Sequence, residues 1–323
     1  MVENKVSSAF LRSFSCLFGG ENMNQEKINA RKERAAILSV VSNSLLVSGK
    51  FAVGIAMGSI GILSEAVHSS MDLLASGISW WSVRQSAKPP DKEHAYGHGK
   101  IETMSAFVEA LLIILAALWI AVEAVKKWFN PEPIEGLSWG LGIMALSIVI
   151  NLLVANHLFK VGKETDSEAL QADGHHLAAD VWSSVGVLVG LGAIWLTGWM
   201  WLDPVIALLV AGWIFRIGWK LAQKGMEGLV DTALPEAEEE KVKAILEADP
   251  RVHVFHKLRS RKSGAIRLID LHVHLDGDMS LAEAHLISHE IEAKIEEALP
   301  KVDVIIHLEP SWCRFEEAAK SKL

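Results

Sequence analysis

The chain has 323 residues, half of them hydrophobic, with a mean hydropathy of +0.27 and a formal net charge of −8. That hydropathy is high for a soluble protein, and the acidic balance leaves no basic surface for nucleic acid, of which no motif appears. The two cysteines, Cys16 and Cys313, are too few and too isolated for a disulfide framework or a thiolate cage, so any metal site must be built from His, Asp and Glu,.

The chain begins with an apolar stretch over 6–18 that follows Lys5 and contains Arg12 but is followed by no signal-type cleavage site,. Met23 then precedes a charged run over 25–34, a natural cytoplasmic lead-in, so 1–34 reads as an N-terminal extension with 1–22 dispensable and interfacial. Six segments long enough to span a bilayer follow, at 35–60, 61–84, 101–129, 137–160, 168–197 and 202–224,. Their cations fix an orientation. Lys27, Arg31, Lys32 and Arg34 precede the first span; Arg84, Lys88, Lys92 and Lys100 join the second to the third; Lys160 and Lys163 follow the fourth; Arg216, Lys220 and Lys224 close the sixth. By the positive-inside rule these ends and both termini are cytoplasmic, with Lys126 and Lys127 the exception. Trp80, Trp81, Trp128, Trp139, Trp195, Trp199, Trp201 and Trp219 fall near span ends, where interfacial belts form,. Gly54/Gly58 and Gly186/Gly190 are spaced either for close helix approach or as tolerated glycines,.

After Asp231 the pattern becomes that of a soluble domain. A helix is expected over 235–248, strands over 252–261 and 265–275 around a Lys262-Ser263-Gly264 turn, a helix over 280–299 with Ser280 and Glu283 as a capping box, and a strand over 302–308,. The order αββαβ predicts a small ferredoxin-like sheet with helices on one face and the other free for a second subunit. The domains are therefore 1–34, a six-helix membrane domain at 35–230, a cytoplasmic domain at 231–312 and a tail at 313–323.

The chemistry centres on GILSEAVHSSMDLL (61–74), where His68 and Asp72 are four apart and share one helical face,. His176 and Asp180 repeat the pair in the fifth span. Ionisable residues inside a membrane are costly and mark function by default, and two imidazoles with two carboxylates suit tetrahedral Zn²⁺. Two carboxylates plus Zn²⁺ sum to zero charge, as do two carboxylates plus two imidazolium ions, so metal and protons compete for one site and an antiporter follows. Glu65 and Asp173 sit near these pairs, either lining an entry path or serving as interhelical partners; Asp203 before Pro204 reads as an N-cap; Glu109 is a lone carboxylate in the third span. Asp91, His94 and His98 either hold one metal or form a plain solvated loop. The soluble domain adds His253, His256, His272, His274, His285, His289 and His307, and alternation puts Asp270, His272, His274 and Asp276 opposite Leu271, Val273 and Leu275,.

HSSMD at 68–72, ADGHHLAAD at 172–180, YGHGK at 96–100, Asp203-Pro204 and DVIIHLEP at 303–310 together resemble the cation diffusion facilitators, over about residues 30–310. The resemblance implies a homodimeric zinc/proton antiporter with six transmembrane helices and a metallochaperone-like cytoplasmic domain, working by alternating access in the inner (plasma) membrane. It implies a transport site of His68, Asp72, His176 and Asp180, in which His at the first position resembles the zinc-selecting branch. It implies a loop site of Asp91, His94 and His98, and a cytoplasmic binuclear site of His256, His272, His285, His307 and Glu309 that tightens the dimer and raises transport. Glu309 departs from the expected Asp, and Lys100 with Asp231 match a charge pair that locks the dimer. Fe²⁺, Mn²⁺, Co²⁺ and Cd²⁺ remain alternatives to Zn²⁺ as cargo. A metalloenzyme is not expected, since His289-Glu290 lacks the second His of HExxH,. A membrane-tethered metal sensor is the remaining alternative, which intramembrane ligands disfavour.

Overall fold

The computed structural model describes the backbone of residues 3–57, 60–129, 137–197, 199 and 201–312, and the side chains of these except 3–25, 57, 60–65, 67–68, 137–141, 143–144, 187, 190–195 and 203. The chain divides into two compact units, Met1–Gly225 and Met226–Leu323.

The first unit is built of long helices: α1 (Glu3–Met57), α2 (Ile60–Ser86), α3 (Lys100–Phe129), α4 (Leu137–Thr165), α5 (Glu168–Thr197) and α6 (Leu202–Leu229). They fall where the spans are expected and run past them at several ends, because hydropathy registers only the apolar part of a helix whose backbone hydrogen bonds continue. Among the described residues, Glu26–Ala56, Lys100–Phe129, Ala145–Thr165 and Pro204–Leu229 are long and apolar enough to cross a membrane. α2 and α5, which carry the two His–Asp pairs and include side chains outside the described set, are not among these four.

α1 packs along α2, α4 along α5, and α5 also meets α3 and α1. Small residues are prominent in the contacts, Ala35, Ala36, Ala75, Ala110, Ala169 and Ala172 all being buried, alongside Leu158, Leu170, Leu177 and Ile113. In lipid, apolar burial between helices gives little drive, so close van der Waals approach has to supply it. At Gly186 an added Cβ would lie 2.7 Å from Val210 Cγ2, so α5 approaches α6 as closely as glycine permits; Gly58 and Gly190 lie outside the described residues. Other large apolar side chains point outward, Leu45, Trp119, Leu153 and Leu209 each being about 70% exposed, which suits hydrocarbon rather than water,.

The second unit contains α7 (Glu236–Ala248), β1 (Val254–Ser263), β2 (Ile266–Leu275), α8 (Leu281–Ala298) and β3 (Val302–Pro310). The sheet order is β1-β2-β3, with β1–β2 antiparallel and β2–β3 parallel. Gly264, at φ +61, makes the hairpin turn, and the register shifts between His256 and Arg259 where Lys257 takes φ +51, a bulge in the β1 edge,. Ile269, Leu271, Val273 and Leu275 pack with Val242 and Leu246 of α7 and Ile287, Ile291 and Ile295 of α8, so both helices cover one face of the sheet. The capping box at Ser280 and Glu283 starts α8 as its sequence foretells. Past the end of α7, Asp249 receives Arg251 Nε and Nη2 at 2.9 and 2.8 Å, the Arg251 amide at 3.2 Å and Lys294 Nζ at 2.9 Å. The Arg251 guanidinium foremost, then Lys294, holds this buried carboxyl well below the usual carboxylate range.

Candidate metal centres

α2 and α5 bring the membrane pairs together. Asp72, His176 and Asp180 each offer a ligand atom within 4.8 Å of the others, and His176 Nε2 lies 3.4 Å from Asp72 Oδ1. The His68 side chain lies outside the described residues. His176 is buried, and its Nδ1 has no hydrogen-bond partner. A cavity of about 40 Å³ opens beside these groups, lined by Asp72, Asp180, Asn43, Lys50, Ser69 and Asn151, among others. A water needs roughly 10–15 Å³ measured this way, so the cavity has room for a few waters or a partly hydrated ion. Ser147 Oγ and Asn151 Oδ1, residues of the same lining, are buried without a hydrogen-bond partner. Unsatisfied oxygens around a wet cavity fit a cation and its remaining waters.

Lys50 is the residue sequence reasoning missed. It is buried in α1, its Nζ donates to Ser69 Oγ at 2.6 Å, and it lines the same cavity as the two carboxylates. A lone cation inside an apolar run was the available signal.

A seam of hydroxyls surrounds the site. Ser39 Oγ donates to Ser76 Oγ at 3.1 Å, Asn43 Nδ2 to the same oxygen at 2.5 Å, Ser76 to Asp173 Oδ1 at 3.3 Å and Ser79 to the Ala169 carbonyl at 3.3 Å. Asp173, fully buried, thus serves as an interhelical partner of α2. Glu109, also fully buried, accepts from Ser105 Oγ at 3.2 Å through one oxygen, while the other has no partner. The side chains of Glu65 and Asp203 lie outside the described residues; the backbone puts Asp203 inside α6, which starts at Leu202. The seam leads to a buried node at Glu102. Lys32 Nζ donates to it at 2.7 Å, Ser86 Oγ at 2.6 Å, and Ser167 Oγ donates to its other oxygen, joining α1, α2, α3 and the start of α5.

The loop after α2 gathers Asp91, His94 and His98, again with ligand atoms within 4.8 Å of one another. Asp91 Oδ1 accepts the His94 amide at 2.7 Å and the Glu93 amide at 2.9 Å, so the carboxylate folds the loop around itself. The His94 amide first, and that of Glu93, hold its carboxyl below the usual range. His98 Nε2 is 3.3 Å from Asp91 Oδ2, and its Nδ1 is buried without a partner. Gly97, at φ +78, makes the turn that returns His98 to Asp91,.

In the second unit His256, His272 and Glu309 form a third cluster within the same distance. Glu309 Oε1 lies 2.6 Å from His272 Nδ1 and 3.8 Å from His307 Nε2. The His272 hydrogen bond holds the Glu309 carboxyl below the usual range. His285 lies against His289 on α8, with Nε2 atoms 3.2 Å apart. Asp231, at φ +59, receives Arg261 Nη1 at 3.2 Å, and Lys100 is the first residue of α3.

The family model of the cation efflux transmembrane domain matches residues 36–230, and that of the cation efflux protein cytoplasmic domain matches residues 234–311. An uncharacterized transporter of Synechocystis is 34% identical over 276 residues, covering 85% of this chain and 89% of its own. The cation-efflux pump FieF of Salmonella schwarzengrund is 31% identical over 277 residues, covering 86% of this chain and 92% of its own. Among solved structures, the metal-bound C-terminal domain of the CzcD transporter from Thermotoga maritima is 30% identical, covering 24% of this chain and 94% of that domain, with a TM-score of 0.23.

Proposed function

The chain belongs to the cation diffusion facilitator family of cation efflux transporters, and from that premise we propose that it exports a divalent metal, Zn²⁺ foremost, in exchange for protons. The observation that carries this reading is the convergence of Asp72, His176 and Asp180 from two separate helices, with both carboxylates lining one small polar cavity. With His68 as the fourth ligand, the set offers two imidazoles and two carboxylates, a donor set suited to Zn²⁺. The ion and two imidazole protons balance the same two carboxylates, so release of one is coupled to uptake of the other. Two protons per metal is the stoichiometry this balance implies.

The rest of the reading follows from it. All six helices cross the inner membrane with both termini cytoplasmic, and the cavity is reached alternately from either side. Two copies associate through the cytoplasmic domains, whose sheet has both its helices on one face, and Lys100 with Asp231 lock the pair near the membrane surface. Asp91, His94 and His98 hold a metal in the loop; His256, His272, His285, His307 and Glu309 supply the cytoplasmic site that tightens the dimer and raises transport. Fe²⁺, Mn²⁺, Co²⁺ and Cd²⁺ suit the same ligands less selectively.

The test is metal-stimulated proton flux in proteoliposomes, metal by metal, for the intact protein, Asp72→Ala and Asp180→Ala. Zn²⁺ is expected to drive flux that both variants abolish. Zn²⁺ transport that persists in the variants, or that is independent of a proton gradient, overturns the reading.

A further inference from the structure

α6 meets α5 closely at Gly186, but lower down it keeps to α3 instead. Added Cβ atoms at Gly218 and Gly225 would fall 2.9 Å from Ile114 Cγ1 and 2.9 Å from Phe107 Cβ. This leaves a wedge on the α5 side, where a cavity of about 290 Å³ opens. Its α5 wall includes Glu168 and Ala172, and its α6 wall Ile217, Lys220, Leu221 and Lys224. Lys220 and Lys224 are four apart and share one face of α6. Glu168 is the first residue of α5, and α6 ends at Leu229, so the wedge lies at an end of the bundle. Trp219, half-exposed and stacked on Phe215, neighbours the two lysines, a pairing of residue types that marks the boundary of a bilayer,. The cavity therefore sits at headgroup depth, with Ile217 and Leu221 leading away from its charged rim.

The charged groups around this space do not satisfy one another. Glu168 Oε2 is buried and has no hydrogen-bond partner. Among the described residues, Lys220 and Lys224 form no ion pair. A buried carboxylate oxygen without a donor is costly, and two nearby ammonium groups oppose a free metal ion in the same space. One occupant can answer all three groups if it carries an anion for the lysines, a hydrogen-bonding cation for Glu168 and an apolar part for the isoleucine and leucine. A phospholipid with a primary ammonium on a short arm from its phosphate has this arrangement. A choline headgroup has no N–H to give Glu168, and a glycerol headgroup offers only neutral hydroxyls. Basic pockets between helices at the membrane surface are suited to lipid headgroups.

We propose that the wedge between α5 and α6 binds one aminophospholipid per chain. Its phosphate lies on Lys220 and Lys224, its ammonium on Glu168 Oε2, and its acyl chains run along Ile217 and Leu221. The site is distinct from the transport cavity, which other residues of α1, α2, α4 and α5 line. The lipid packs against α5, the helix that also carries His176 and Asp180. The assignment holds whichever ion is carried.

The test is native mass spectrometry of the full chain in detergent, titrated with phosphatidylethanolamine, phosphatidylcholine or phosphatidylglycerol of identical acyl chains. The unmodified protein is expected to bind one phosphatidylethanolamine per chain about tenfold tighter than phosphatidylcholine, the difference one hydrogen bond between charged groups makes. Lys220→Gln/Lys224→Gln is expected to weaken phosphatidylethanolamine and phosphatidylglycerol alike, by about tenfold or more. Glu168→Gln is expected to bring phosphatidylethanolamine to within about threefold of phosphatidylcholine without weakening phosphatidylglycerol. Lys126→Gln/Lys127→Gln, at the far end of α3, removes as much charge and should change binding by less than about twofold. Equal binding of phosphatidylethanolamine and phosphatidylcholine by the unmodified protein overturns the assignment, and that comparison needs no variant to fold. Tighter binding of phosphatidylglycerol than of phosphatidylethanolamine overturns it by showing a plain anion site. An unchanged headgroup preference in Glu168→Gln does so as well. Metal-driven proton flux is measured separately, so failure of the transport reading and failure of the lipid site are told apart.

Discussion

Glu102→Gln removes the negative charge from the buried node and strands the Lys32 ammonium, while keeping an acceptor oxygen for one of the two serines, Ser86 and Ser167, that donate to separate carboxylate oxygens,. The two charged side chains are 6% and 4% exposed, with Nζ and Oε1 2.7 Å apart. At an effective dielectric of about 20 the gross attraction at that distance is roughly 6 kcal/mol, most of it offset by the cost of taking both ions out of water. The net pair is therefore worth little, but an unpaired charge left behind costs about 3–5 kcal/mol. For a unit of this size each kcal/mol moves the midpoint by roughly 2–4 °C, so thermal unfolding in detergent should shift down by roughly 6–20 °C. The double variant Lys32→Met/Glu102→Gln should recover most of the loss, since no uncompensated charge remains. A single variant that costs under about 1 kcal/mol would show that Lys32 rehydrates where it sits. A double variant as unstable as the sum of the singles would show that the two residues act independently, and either result refutes the reasoning.

Two further outcomes are expected. Lys50→Met takes a positive charge out of the cavity where the metal is proposed to bind, so calorimetry in detergent should find the metal bound about tenfold tighter, roughly 1.4 kcal/mol, and turnover in proteoliposomes slowed by late release,; an unchanged Kd would put Lys50 outside the electrostatics of the site. Asp249 has its carboxyl depressed when folded, so its contribution is complete above the unfolded value of 3.8 and fades as pH falls through the folded one,. Hydrogen exchange of α7, the start of β1 and α8 at neutral pH should accelerate about 30-fold or more in Asp249→Ala, for about 2 kcal/mol or more lost from charge-assisted bonds, and the difference from the unmodified protein should shrink in acid; equal exchange rates at neutral pH would refute it.

The parts of this molecule that a sequence makes visible are those written in neighbouring residues. The i,i+4 pairs on α2 and α5, the Ser280/Glu283 cap and the alternation from Ile269 to Leu275 are all local patterns, and the structure forms a helix, a capping box and a buried face there. What stayed hidden depends on pairing across the chain. Lys32 and Glu102 are 70 residues apart, and nothing near either announces the other. Lys50 stands alone in an apolar helix, so no periodicity links it to Asp72 and Asp180. His274 shows the same limit in the soluble domain: alternation gives its face, but only the strand register and the bulge at Lys257 give its neighbours. His285 and His289 make the converse case, because a good local spacing brings them to each other.

The hydroxyl seam along α2 bears on how easily the helices can change places. Ser76 and Ser79 hold α1 and α5 through bonds of 2.5 to 3.3 Å to a hydroxyl, an amide, a carboxylate and a carbonyl. A hydroxyl rotates freely and both gives and receives, so a helix lined with serine can shed one partner and take the next within a small displacement. Interlocked leucines would have to climb out of their holes first. α2 therefore has a low-friction face turned toward α1 and α5, with the carboxylate of Asp72 carried on the same rod.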